Sequence, residues 1–437
     1  MNMKKCISIL MTTFAVSLSA PAQTWQPADP DATPEAKQLF TRLQNIQSKG
    51  IMYGHQDDLM TGHTWWYEPG RSDTKEAVGD YPAVAGFELG EIELGGTLSL
   101  DSVAFANMAE RVRWFYNQNG IITVSWHCVN PITSQWPGVK EPNGAGSAWE
   151  VKMLSADKMN AVRSILPGGC NHEMFNSWLE KLAKNFHQWR DEKGTLIPFI
   201  FRPYHEHSGS FFWWGTERCY AEEYAALWRY TVNFLREKGL HNILYAYNTD
   251  KVYSAEEYLS GYPGDEYIDM LSIDWYGQGD EFNKNIEKAL KFTTQIAEQK
   301  QKLHALSECG PISADLQKIL AQYKTSYVLT WRNAPPRGGK KRFVPLTAEQ
   351  IAQLPADARA VGFRAVCEKQ KVSYQIADTT AFEYNHLEYH QILEKLLKEN
   401  PDTDGIFASS DLIAAQLLQV CHNLNIDVPS QMKIVGF

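Results

Sequence analysis

Eight short apolar runs, each ending in polar side chains and separated by helical patterns, constrain this chain more than any other feature. They are IMYGHQDD (51–58), YPAVAGFELG (81–90), GIITVSWHC (120–128), LIPFIFRPYHE (196–206), NILYAYNTD (242–250), DMLSIDWYG (269–277), LHALSECG (303–310) and SYVLTWRNA (326–334). Between them lie amphipathic stretches, including 102–120, 174–194 and 282–302. Near-continuous apolar strands that alternate with helices predict a parallel sheet buried on both faces. Eight strands in such a span fit a closed (β/α)8 barrel, the TIM-barrel member of the α/β class, better than an open sheet. No glycine-rich phosphate fingerprint follows the first strand, which weakens a dinucleotide-binding alternative.

The strand ends carry the chemistry: His55-Gln56-Asp57, Glu88, Trp126-His127, His205-Glu206, Asn248, Tyr276, Glu308 and Trp331-Arg332. Barrel enzymes build their sites at the C-terminal ends of the strands. Glu206 would close the fourth strand and Glu308 the seventh, and two carboxylates facing each other there form a working pair for glycoside hydrolysis. One has to hold a proton at neutral pH and the other has to stay ionised; burial and like charge supply that split. His205 and His207, two apart on a strand, point to one face and raise a metal alternative. No HExxH, nearby cysteine or third ligand accompanies them, so no metal is expected, and His207 is read as shaping its loop. His205 and His127 are candidate sugar or carboxylate contacts. Of Phe211, Phe212, Trp213 and Trp214, at least half are expected to be packing; Trp214 is kept as a sugar contact. Trp331 is the better stacking platform, and Tyr276 could donate to Glu308.

Composition excludes several classes. A net charge of −9 argues against nucleic acid and anionic membrane as partners. The 14 Trp and 20 Tyr suit both core packing and stacking on sugar faces. The first residues, MNMKKCISILMTTFAVSLSAPAQ, have two lysines, an apolar stretch and then Ala20-Pro21-Ala22, the layout of a secretory signal peptide cut near Ala22. Cys6 precedes the apolar stretch, so a lipid anchor is not supported, and no other segment is long and apolar enough to span a membrane. A secreted or periplasmic, monomeric protein is expected. Cys128, Cys170, Cys219, Cys309, Cys367 and Cys421 are too widely spaced to define a disulfide framework, and buried free thiols are the expectation.

After residue 334 the character changes. PPRGGKKRF (335–343) is proline, glycine and basic, and no clear eighth helix comes after it. The remainder reads helix, strand, helix, strand, helix, strand and stops on an apolar strand at Phe437, as though something had been joined or cut. The expected organisation is a leader over 1–22, a barrel over 23–344 whose last helix is in question, and a partial α/β lobe over 345–437.

Taken together, RPYHEHSGSFFWWG, ALSECG, YGHQDD, SWH…NP, SIDWYG and VLTWRNA resemble glycoside hydrolase family 26, best known for endo-β-1,4-mannanases, over about residues 34–340. The resemblance implies a (β/α)8 barrel and retention through a glycosyl-enzyme intermediate, with no cofactor. It implies Glu206 as acid/base and Glu308 as nucleophile. His205 and His127 would bind sugar, Tyr276 would sit beside the nucleophile and Trp331 would stack. Trp149 in GSAWE would be a further subsite aromatic. Phe211 departs from the tryptophan often found there. The implied substrate is β-mannan or galactomannan. Mixed-linkage β-glucan and β-1,3-xylan remain open, as does a non-catalytic carbohydrate-binding or sensor protein, which the intact glutamates argue against. DGIFASSDLIAAQLLQVCHNLNIDVPSQMKIVGF resembles the effector-binding domain of LacI-type regulators, in which an aspartate at the position of Asp411 touches the effector. That resemblance covers about residues 360–437 and lacks the other lobe, so a fused fragment is expected there.

Overall fold

A computed structural model describes residues 25–135, 147–151 and 161–333, and, in the C-terminal segment, 393–395, 397–399, 403, 405–407, 411–428 and 430–435. The expected leader, Cys6, Cys367, the basic junction and the position of an eighth outer helix lie outside these residues. The chain divides into two units, Met1–Pro345 and Leu346–Phe437.

All eight apolar runs form strands: β1 Met52–Gln56, β2 Val84–Glu88, β3 Ile121–Trp126, β4 Phe199–Pro203, β5 Ile243–Thr249, β6 Met270–Trp275, β7 Leu303–Cys309 and β8 Tyr327–Thr330. They pair in sequence order, every pair parallel, and β8 returns to β1 to close the barrel. The helices of this unit are α1 Pro34–Gln47, α2 Asp73–Val78, α3 Phe105–Asn117, α4 Ala161–Ile165, α5 His172–Phe186, α6 Ala221–Glu237, α7 Ala255–Tyr258, α8 Gly279–Gln299 and α9 Ala314–Leu320.

Helix α1 has a different job from the outer helices. Thr33 caps it by accepting from the Ala36 N–H, and Pro34 opens its first turn, where a missing N–H costs nothing. Its buried stripe of Ala36, Leu39, Phe40 and Leu43 joins a core with Met52, Val84, Ile121, Ile200, Leu244, Met270, Leu303, Tyr327 and Leu329. Those strand residues recur at alternate positions around the barrel, which makes them its interior layer at the N-terminal end. Helix α1 therefore plugs the barrel floor. Two polar contacts hold it there: the Thr33 N–H donates to the His241 carbonyl at 2.9 Å, and the His304 N–H donates to Gln47 Oε1 at 2.8 Å.

The outward-facing strand residues pack with the outer helices in a second, larger cluster that includes Phe87, Val124, Phe201, Tyr245, Leu271 and Leu306. The floor is thus apolar, and the polar interior lies toward the C-terminal ends. Among the described residues the thiols of Cys128, Cys309 and Cys421 are free and buried, as expected, and Cys219 is buried too; Cys170 is free but exposed, because it sits in the turn before α5. No helix among the described residues is long and apolar enough to cross a membrane.

In the C-terminal unit, β9 Gly405–Phe407 and β10 Lys433–Val435 form a parallel pair joined through α10 Asp411–Asn423. They match the last strand, helix and strand read from the sequence. Leu393, Leu397, Leu417, Val420, Cys421 and Met432 make a small core of their own.

The floor plug gives the first prediction. Phe40→Ala removes a ring that is 1% exposed, at the far end of the barrel from the strand-end polar residues. It should cost about 3–5 kcal/mol in denaturant unfolding. Any chemistry at the C-terminal face should be unchanged in the fraction that stays folded.

Candidate active site

Strict alternation along β7 would point Glu308 out of the barrel. Leu303 and Ala305 face in with the floor core, while His304 faces out to bond Thr293 of α8 at 3.0 Å. Leu306 faces out as well, into the outer cluster. On that rhythm Ser307 faces in and Glu308 does not. The strand escapes the rhythm with a bulge. Leu306 pairs with Ile273 of β6 and Glu308 with the very next residue, Asp274, so Ser307 is supernumerary. The pairing with β8 shifts over the same stretch, from Leu306↔Val328 to Cys309↔Thr330. A bulge adds one residue and re-aims the side chains beyond it, so Ser307 and Glu308 both turn inward.

The acid/base candidate is aimed by backbone strain. Tyr204 and Glu206 have φ of 49° and 54°, in the left-handed region that side chains other than glycine enter at a cost of about 1–3 kcal/mol each. Tyr204 turns outward to share a hydrogen bond with Thr231 of α6 at 2.8 Å. His205 and Glu206 turn toward the barrel axis. Oxygens of Glu206, Asp274 and Glu308 lie within 4.8 Å of one another. Such a trio has the spacing to hold a cation, but here the chain supplies one itself. Arg202 of β4 donates from Nη1 to Asp274 Oδ2 at 3.0 Å and from Nη2 to Glu308 Oε1 at 2.6 Å. Tyr276 donates from its hydroxyl to the other Glu308 oxygen at 2.8 Å.

The two glutamates are consequently in different electrostatic environments. Glu308 accepts two strong bonds, one from a cation. No described residue donates to the Glu206 carboxyl. Burial, then the charges of Glu308, Asp274 and Asp250, push Glu206 well above the ordinary carboxyl range, with Arg202 opposing too weakly to reverse it. Burial also pushes Asp274 up to about 7, against Arg202.

A line of imidazoles approaches Glu308 from the other side. Glu88 of β2, fully buried, accepts from the His127 N–H at 2.8 Å and pairs with His127 Nδ1 at 2.8 Å. His127 Nε2 meets His205 Nε2 at 3.1 Å, and His205 Nε2 lies 4.0 Å from Glu308 Oε1. Burial alone would lower His127, but the charge and hydrogen bond of Glu88 outweigh it and raise it. Burial, then the neighbouring His127 and Arg202 charges, hold His205 well below the usual imidazole value. Neutral His205 therefore accepts from or donates to a partner without adding charge beside the glutamates.

Among the aromatics, Trp149 stacks on His127 at 4.8 Å, and Trp331 meets the same ring edge-on at 5.9 Å. Both are half-buried. Trp214 is placed differently from the sequence reading. It is fully buried, its indole N–H donates to the His205 carbonyl at 2.8 Å, and its ring stacks on Phe212 at 4.5 Å. That puts it behind His205, as a support, with no free face to offer a sugar. His207 is buried too, with Nδ1 3.0 Å from the Asn248 carbonyl and Nε2 2.8 Å from the Ser260 carbonyl, so it ties loops together and does not share a metal with His205.

The structure thus gathers Glu206, Glu308, His127, His205, Tyr276, Trp149 and Trp331 around one point. The sequence reading gave no role to Arg202 or Glu88. Both are charged residues inside apolar strands, and that misfit was their signal, since buried charge is retained only where it is paired.

Residues 28–340 match the model of glycosyl hydrolase family 26. The chain belongs to that family. Residues 337–437 match a periplasmic binding protein-like domain. A mannan endo-1,4-beta-mannosidase of Bifidobacterium adolescentis is 30% identical over 392 residues, which is 82% of this chain but only 37% of that relative. A solved GH26 beta-mannanase from Bacteroides ovatus is 35% identical with a TM-score of 0.66, covering 81% of this chain and 99% of that one. Over the tail, a ribose operon repressor of Halalkalibacterium halodurans is 35% identical across 83 residues, 19% of this chain and 24% of the repressor.

The raised Glu206 carboxyl makes a stability prediction. A buried acid whose folded pKa is raised favours folding fully below its unfolded pKa, near 4.5, and that contribution is lost as pH rises through the folded value. Glu206→Gln should therefore raise the melting temperature at pH 7 relative to the parent. The gain should shrink toward zero near pH 4, which calorimetry at the two pH values will show.

Proposed function

We propose that this chain is an exported, retaining endo-β-1,4-mannanase. The observation that carries the reading is the separation of the two carboxylates. Retaining glycosidases hold their pair about 5–5.5 Å apart, and inverting ones leave about 6.5–9.5 Å for a water. One oxygen of Glu206 lies within 4.8 Å of one of Glu308, which supports the closer, retaining arrangement.

Glu308, aimed by Arg202 and Tyr276, attacks the anomeric carbon. Glu206 gives its proton to the glycosidic oxygen, and the bond from that oxygen to the anomeric carbon breaks as the bond to Glu308 forms. Once the leaving sugar has departed, Glu206 is a base. It takes a proton from water, which attacks the same carbon and releases Glu308, so two inversions return the starting configuration. The charge on Glu308 changes during the cycle, and the Glu206 proton affinity changes with it. While Glu308 is ionised it holds the proton on Glu206; when Glu308 is esterified that repulsion vanishes and Glu206 is freer to act as base. His127 and His205 supply hydrogen bonds to sugar hydroxyls, and Trp149 and Trp331 offer faces at the same point.

Mannan is chosen as substrate because the relatives from Bifidobacterium adolescentis and Bacteroides ovatus are mannanases. Reducing-sugar release from β-mannan by the mature chain tests the reading, with Glu206→Ala and Glu308→Ala alongside. Glu206→Ala should lose about 10²–10⁴-fold, Glu308→Ala should fall to background, and proton NMR of fresh products should show the β-anomer first. A folded parent inert on mannan, mixed-linkage β-glucan and β-1,3-xylan alike would overturn the enzyme reading, and activity on one of the latter two would replace the substrate.

A further inference from the structure

Between the acid/base strand and the nucleophile strand stands one fully buried amide, Asn248 of β5. Its Oδ1 accepts the Glu206 backbone N–H at 2.8 Å. A backbone N–H can only donate, so the orientation of the carboxamide is fixed and its NH₂ points the other way. There it finds Asp274 Oδ1 at 2.8 Å, Ser307 Oγ at 2.8 Å and Ser272 Oγ at 3.2 Å. The Ser307 hydroxyl in turn donates to Asp274 Oδ1 at 2.7 Å.

Each end of this bridge grips a point where the backbone departs from regular form. Glu206 is held in left-handed geometry, and Ser307 is the extra residue of the bulge that turns Glu308 inward. Neither distortion is favourable alone, and strained conformations persist only when their surroundings over-determine them. A four-atom side chain joining them makes the placement of one carboxylate depend on the other.

Resting on the retaining-glycosidase reading, we propose that Asn248 is the positioning residue that sets the Glu206–Glu308 separation, by tying the acid/base backbone to the nucleophile's bulge. It touches neither the sugar nor the reacting atoms and acts through both glutamates.

The test compares two substrates and one spectroscopic midpoint in Asn248→Ala. β-Mannan has a poor leaving group and needs a well-placed acid, whereas a dinitrophenyl β-mannobioside leaves without protonation. Misplacing a catalytic group by about 1 Å costs roughly 10²-fold, so the variant should lose about a hundredfold in kcat on mannan. It should lose less on the aryl substrate, whose leaving group departs without help from a placed acid. The basic limb of the mannan pH profile should move to lower pH, because a more distant Glu308 repels the ionised form of Glu206 less. Carboxyl carbon NMR of Glu-labelled protein reads the same downward move of the Glu206 midpoint without any turnover.

Should Asn248→Ala fail to fold, the isosteric Asn248→Asp keeps the acceptor for the Glu206 N–H but sets a carboxyl against Asp274. Its mannan rate should fall, and both limbs of its profile should move to higher pH. Equal losses on the two substrates, or an unmoved Glu206 midpoint in folded Asn248→Ala, would reduce Asn248 to packing and overturn the proposal. An inert but folded parent would overturn the mannanase reading while the NMR midpoint still decided the role of Asn248.

Discussion

The site depends on one buried cation. Arg202 is 1% exposed and bonded to Asp274 and Glu308, and it is the reason three carboxyl groups can share the barrel interior. Removing one partner of a buried ion pair typically costs about 3–5 kcal/mol, because an uncompensated charge is left behind. Here the uncompensated charges would be two carboxylates beside a third. The arginine also divides the labour. Its two Nη groups reach Asp274 and Glu308 and leave Glu206 out, so one glutamate faces a cation while burial and like charge push the other well above the ordinary carboxyl range. A lysine at this position would offer one compact ammonium in place of a planar fork and could not hold both carboxylates in fixed directions.

How much could be read from the sequence depends on how local each signal is. The eight strands were legible because each lies in a largely apolar run, and every strand residue of the barrel except Tyr53 is buried. Glu206 and Glu308 were legible by type and position, as carboxylates closing the fourth and seventh runs. The inward turn of Glu308 was not legible. Counting alternate positions from Leu303 sends it outward, and the bulge that corrects this is visible only in the pairing of β7 with its two neighbours. Helix α1 was not anticipated as a floor either, since its apolar stripe looks like that of any outer helix. Its place is decided by partners such as Ile200 and Leu244, far along the chain. Trp214 shows the limit of residue type as evidence. An indole near a sugar site suits stacking and packing equally, and here its N–H is taken by the His205 carbonyl.

The same burial that serves the chemistry works against the fold. A Glu206 carboxyl pushed well above its ordinary range, an Asp274 pushed to about 7 and left-handed backbone at Tyr204 and Glu206 all lower stability at neutral pH. They are concentrated at the C-terminal ends of the strands. The opposite end has an apolar core plugged by α1, and its buried charged residues, Asp29, Asp269 and Lys302, lie outside that core. A barrel permits this segregation because its two ends are joined by the rigid sheet while their side chains do not mix. The floor can be optimised for packing and the rim for charge placement. Distortions at the rim, the bulge above all, are then tolerated because the register of β7 below Leu306 is already fixed by Leu303 and Ala305 in the floor core. The bulge consequently displaces only the residues above it, and a one-residue irregularity moves Glu308 without disturbing the rest of the strand.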